Sequence, residues 1–228
     1  MREFHIELEV LMQEFSEAAG LVVGVVNQLA EDPGTASASL IAQVDATDSE
    51  VRERLRSLEE RGHVLLARQA PVGSDLRRLV AILRLIANIE RTSRHARHVM
   101  ESCRSIEVFS LPPDIRRLLE SLARRAAEVL QDGLEAWTTS DALAVIDLGE
   151  PERDVDDLQL RLLKAASHSP EVHGETRLAL GLTARHYERI ADYGMSLARD
   201  AAFVVTGLRL GREPLAPHPG PGGRSAES

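Results

Sequence analysis

The chain has 228 residues, a formal net charge of −9, a single cysteine and only 3% aromatic residues. Leu, Ala, Val, Arg and Glu dominate, a composition that suits packed helices better than a β-sandwich or barrel. The acidic balance argues against nucleic acid as a partner, since phosphate backbones want a basic face. Cys103 alone rules out an intramolecular disulfide and points to a reducing cytosol. The polar, acidic start of the chain is not read as a signal peptide, and no stretch approaches the roughly 20 apolar residues of a membrane span.

Leu8, Leu11, Phe15, Ala18, Val22, Val25 and Leu29 alternate three and four residues apart. That heptad seam predicts a long first helix, ended by Asp32-Pro33-Gly34. A second helix is predicted from about Ala36 to Ala67, with Val44, Val51, Leu55, Leu58 and Leu65 inward. A third starts near Ser74, read as its cap, and runs through Leu76, Leu79, Leu83 and Ile86 to Cys103. A linker follows over residues 106–113. The fourth helix covers Asp114 to about Thr138, with Ile115, Leu118, Leu122, Val129 and Trp137 inward. A fifth spans roughly Ser140 to Ser167, with an irregularity at Gly149-Glu150-Pro151. A sixth begins after Pro170, with its seam at Leu180, Ala184, Tyr187, Ala191, Gly194, Ala198, Ala201 and Val205. From Gly211 the chain is rich in Pro, Gly and Ser without apolar pattern, and a disordered tail is expected over 211–228.

Two segments are variants of one another. Leu85 to His95 and Leu182 to Tyr193 share an apolar helical frame and a Glu-Arg step, Glu90-Arg91 in one and Glu188-Arg189 in the other. An internal repeat of this kind makes the chain two related modules. The expected fold is all-α: two tandem antiparallel three-helix bundles of six long helices, over residues 1–105 and 114–210.

At these residues the sequence resembles the PhoU family of phosphate-uptake accessory and regulatory proteins. The strongest match is Leu65 to Arg78, followed by Ile89-Glu90-Arg91. A second runs from Ala184 to Asp192 and closes with Phe203-Val204-Val205-Thr206-Gly207. The resemblance covers about residues 3 to 208. It implies a cytoplasmic, non-enzymatic regulator that restrains phosphate uptake and starvation signalling. Its implied partners are the ATPase of a phosphate ABC transporter and a sensor histidine kinase, with contact to the membrane only through them. Homodimerisation is expected, as long helices with broad apolar faces self-associate.

Family members are similar in carrying two acid-x-x-x-Asp pairs per bundle, and some bind multinuclear iron or zinc there. Such a spacing sets two carboxylates about 40° apart on one helix face, which costs a few tenths of a kcal/mol unless a cation sits between them. In the second bundle the matching pairs are Glu152 with Asp156 and Glu188 with Asp192. The resemblance makes these four the candidate metal ligands, for iron or zinc. The match departs at Tyr193 and Ser196, where relatives often carry His and Asn. In the first bundle the second acid of each pair is arginine, giving Asp48 with Arg52 and Glu90 with Arg94. Two inversions predict self-satisfied surface ion pairs and a lost metal site there.

Other features carry less. Glu60-x-x-His63 matches one half of a di-iron motif, but such a site needs two copies. His95 and His98 share a helix face, yet Arg94 and Arg97 interleave with them and favour a solvated basic face. Arg91, Arg94, Arg97 and Arg104 form a basic run suited to an acidic partner or lipid headgroups. No nucleophile–base constellation and no phosphate-cradling glycine loop appears. Two alternatives to a regulator stay open: a metal-dependent hydrolase or redox bundle using the same carboxylates, and a metal-free helical scaffold.

Overall fold

The structure is a computed structural model, and it describes residues 2–31, 33, 37–104, 106 and 108–209. The tail expected over 211–228 lies outside the described residues, as do Asp32 and Gly34 of the first helix stop. Six long helices carry the chain: α1 (Arg2–Glu31), α2 (Ala38–Gln69), α3 (Gly73–Cys103), α4 (Pro113–Thr139), α6 (Gly149–His168) and α7 (Gly174–Thr206). A single turn, α5 (Ala144–Asp147), precedes α6, and a 3-10 turn spans Val108–Ser110. Among the described residues there is no strand.

Helices α1, α2 and α3 pack on one another, and so do α4, α6 and α7. The two three-helix bundles lie side by side along α3 against α7 and α1 against α4. One continuous aliphatic core results, in which every α1 seam residue named above is 4% exposed or less. Burying each such Leu or Val stabilises the fold by roughly 1.5–3 kcal/mol before entropy is counted. One aromatic pair sits where the bundles meet. Phe15 of α1 and Trp137 of α4 contact edge to face, centroids 5.6 Å apart at 76°.

Several expected details differ. The fifth helix is not continuous from Ser140: that residue is the left-handed cap of α4, with φ 56°. Asp141 then accepts the Leu143 amide at 2.8 Å, turning the chain before α5. The irregularity at Gly149-Glu150-Pro151 is the start of α6, where a proline in the first turn loses no hydrogen bond. Ser74 is not a cap: α3 begins at Gly73 after an extended Val72 that makes no side-chain cap bond. Leu118 is only partly buried and Leu119 takes the core position. Val205, at the end of the α7 seam, is 48% exposed, and its neighbour Val204 takes the core position at 7%. Two caps follow simple rules: Pro113 occupies the first turn of α4, and Gly207, at φ 77°, closes α7 by donating its amide to the Phe203 carbonyl at 2.8 Å.

Candidate functional site

The helix pair α6–α7 presents all four predicted ligands. Glu152 stands in the first turn of α6, where the positive helix end favours its charge, and its Oε1 lies 3.4 Å from Arg199 Nη2 of α7. Asp156 follows one turn along α6. On α7, Glu188 and Asp192 are largely buried, with side chains 13% and 12% exposed. Arg185 places Nη1 2.7 Å from Glu188 Oε2, and Arg189 places Nη1 2.6 Å from an Asp192 oxygen. The Arg185 contact is poorly directed, so the buried Glu188 Oε2 accepts no hydrogen bond.

Burial and the neighbouring Asp192 charge hold Glu188 above the usual carboxylate range. Asp156 adds to that push, so charge from α6 reaches α7. The structure therefore brings Asp156 and Asp192 within electrostatic reach of Glu188, while Glu152 is engaged by Arg199. Sequence reading missed the three arginines. Their signal was present for two of them: Arg185–Glu188 and Arg189–Asp192 are three residues apart, a spacing that meets on a helix face. The donors are hard oxygens suited to a di- or trivalent ion, but among the described residues no group of three or more His, Cys, Asp or Glu could hold a metal ion as placed.

In the first bundle both expected ion pairs form. Glu90 Oε1 receives Arg94 Nη2 at 3.0 Å on the surface. Asp48 pairs with Arg52 but is not a surface group, being 6% exposed, and its Oδ1 also accepts the Ser93 hydroxyl of α3 at 2.8 Å. Asp48 has become a buried tie between α2 and α3. The basic run is partly neutralised as well, since Arg97 lies 3.4 Å from Asp45 and 3.2 Å from Glu101. Glu60 and His63 are both exposed on α2.

Between the bundles lies a feature the sequence did not join. His95 of α3 and His186 of α7 face each other, Nδ1 to Nδ1, at 2.9 Å. Burial, then the positive charges of His186, Arg189, His98 and Arg94, lower His95 to about 4. Burial lowers His186 in the same direction. The folded protein accepts the His95 proton only near pH 4, whereas the unfolded chain accepts it near pH 6.5. Native stability should therefore fall as pH drops through that window, because the unfolded state binds more protons. Urea unfolding of chelator-treated protein at neutral and mildly acidic pH measures this. His95→Gln should flatten the dependence, and an unchanged slope would show that other groups carry it.

What fold and site define is an all-helical tandem-bundle protein with charge-paired helix faces and no helix among the described residues able to span a membrane. The PhoU domain model matches residues 26–103 and 119–201, one copy in each bundle, and the chain belongs to the PhoU family. It is 29% identical over 207 residues to the phosphate-specific transport system accessory protein PhoU homolog 1 of Mycobacterium leprae, covering 90% of this chain and 93% of that one. It is 23% identical to PhoU homolog 1 of Thermotoga maritima, covering 91% and 90%. The fold matches the crystal structure of PhoU from Pseudomonas aeruginosa with a TM-score of 0.82 at 23% identity, over 90% of this chain and 100% of that one. It matches the PhoU regulatory protein of Streptococcus pneumoniae with a TM-score of 0.80 at 20% identity, over 91% and 99%.

Proposed function

We propose that this protein is an accessory regulator of phosphate transport that acts by binding rather than by catalysis. The observation that carries the reading is the family match in both bundles, joined to relatives named as phosphate transport accessory proteins along nearly their whole length. In this reading the bundle surfaces contact the ATPase of a phosphate ABC transporter, a sensor histidine kinase, or both, from the cytoplasmic side and as a homodimer. Regulation by binding requires the protein to prefer one state of its partner over another; each tenfold preference corresponds to about 1.4 kcal/mol. The test is direct binding of the purified chain to the transporter ATPase and to the kinase cytoplasmic domain, at high and low phosphate. Saturable binding to either that changes with phosphate supports the reading, and none to both at micromolar concentration refutes it.

The same proposal places iron or zinc at Glu152, Asp156, Glu188 and Asp192. The buried Glu188 oxygen without a hydrogen bond supports it, as does the mutual repulsion of Glu188 with Asp192 and Asp156. A bound ion would neutralise these charges and pin α6 to α7, with Arg185 and Arg189 released to solvent. Elemental analysis of untagged protein should find metal in the native chain that falls in Glu188→Ala/Asp192→Ala. Equal content in the two proteins would refute the placement.

A further inference from the structure

Three histidines meet where the bundles touch, apart from the carboxylates of α6. His95 and His98 project from α3 one turn apart, and His186 comes from α7. The His95 and His186 ring centroids are 5.1 Å apart. The His98 ring stacks on that of His186, also at 5.1 Å and inclined by 22°. Tyr193 lies against His95 at 5.9 Å and 27°. Glu101 Oε2 sits 3.1 Å from His98 Nδ1.

Two neutral imidazoles that face each other at 2.9 Å through Nδ1 share one proton, one ring donating and the other accepting. A tetrahedral zinc ion, with Zn–N bonds of about 2.0–2.1 Å, would hold the same two nitrogens about 3.3 Å apart. An opening of about 0.4 Å, with both rings tilting so that their lone pairs converge off the N–N line, would therefore let a metal take the place of the bridging hydrogen. The donor ring keeps its hydrogen by moving it to Nε2, so neither ring needs to lose a net proton. Glu101 on Nδ1 of His98 is the carboxylate–imidazole pairing that orients metal-binding histidines, and it leaves Nε2 as the ligating atom. Burial keeps His95 and His186 unprotonated at neutral pH, so protons compete weakly for the same lone pairs. The nearby guanidiniums of Arg94 and Arg189 carry carboxylate partners, Glu90 and Asp192, which limits their repulsion of a cation.

We propose that His95 and His186 form the nucleus of a site for a divalent first-row transition ion, completed by His98 and water, which clasps the first bundle to the second. Imidazole donors suit zinc, copper or nickel, and zinc(II) is the probe. No three such side chains are preset around an ion among the described residues, so His98 must turn toward the pair as the metal enters.

The test is calorimetric titration of the chelator-treated full chain with zinc(II), with thermal unfolding read alongside. One zinc per chain that depends on these histidines is expected, besides any ion taken by the α6–α7 carboxylates, with a rise in unfolding midpoint. His95→Ala and His186→Ala should each weaken this binding at least about tenfold and remove the rise, while His63→Ala, at an exposed histidine of α2, should bind as the native chain does. His95→Gln, which preserves bulk, guards against a packing defect, and circular dichroism confirms that each variant is helical. The proposal is overturned if the native chain binds no zinc saturably, or if the histidine variants bind like it. Complete loss of zinc binding in Glu188→Ala/Asp192→Ala, with the histidine variants keeping theirs, would also overturn it.

Discussion

Gly194→Ala should destabilise the protein by about 3 kcal/mol, although alanine is the better helix former. Gly194 lies mid-way along α7, where glycine costs about 1 kcal/mol relative to alanine. Its presence there is explained by α4. A Cβ on Gly194 would stand 2.3 Å from the Val129 carbonyl oxygen and 2.7 Å from Leu130 Cα. Gly133 answers from the other side, where a Cβ would meet the Gly194 oxygen at 2.2 Å. These are backbone atoms and cannot rotate aside, so the helices must separate and the core around Leu130 and Leu197 must open. Urea unfolding measures the cost, with Gly20→Ala as its control. Nothing lies within 4 Å of a Cβ on Gly20, so that change should stabilise α1 by up to about 1 kcal/mol. If both substitutions stabilised, the close crossing of α4 and α7 would be wrong.

Tyr187→Ala should cost about 3–5 kcal/mol, the range for removing a buried aromatic side chain. Tyr187 is fully buried on α7 and its hydroxyl donates to the Leu29 carbonyl at 3.3 Å. Leu29 lies in the last turn of α1, where carbonyls have no partner within the helix. The side chain therefore fills the core and closes a helix end in the other bundle. Burial holds its phenol far above the usual range, so it stays a donor at any working pH. Tyr187→Phe keeps the ring and should lose about 0.5–1.5 kcal/mol. Equal losses in the two variants would place the whole effect in the hydroxyl, against the packing shown here.

The helices were legible because heptad seams and proline stops are local signals. Leu8 through Leu29 reads as a helix from spacing alone, and the structure buries each seam residue. The Gly149-Glu150-Pro151 break was visible for the same reason. What depends on a neighbouring helix was not. Leu118 and Leu119 are equally apolar, and only the position of the rest of the bundle selects Leu119. Asp48 looked like a surface partner of Arg52, but the approach of α3 buries it and brings Ser93 to its free oxygen. The internal repeat and the acid pairs were plain in the sequence, whereas Arg199 against Glu152 required α6 and α7 to be packed. His95 and His186 are 91 residues apart, and no spacing rule joins them. Their meeting follows from two bundles lying side by side, and so do the Arg84–Asp200 ion pair at 2.9 Å and the Arg77 bond to the Val204 carbonyl.

The regulatory assignment is tested most directly by a phosphate-starvation promoter in cells lacking this protein and grown in excess phosphate. Restraint of phosphate signalling predicts that the promoter is active despite the excess, and that the native chain restores its repression. A promoter that stays silent, with phosphate uptake also unchanged, would contradict the assignment.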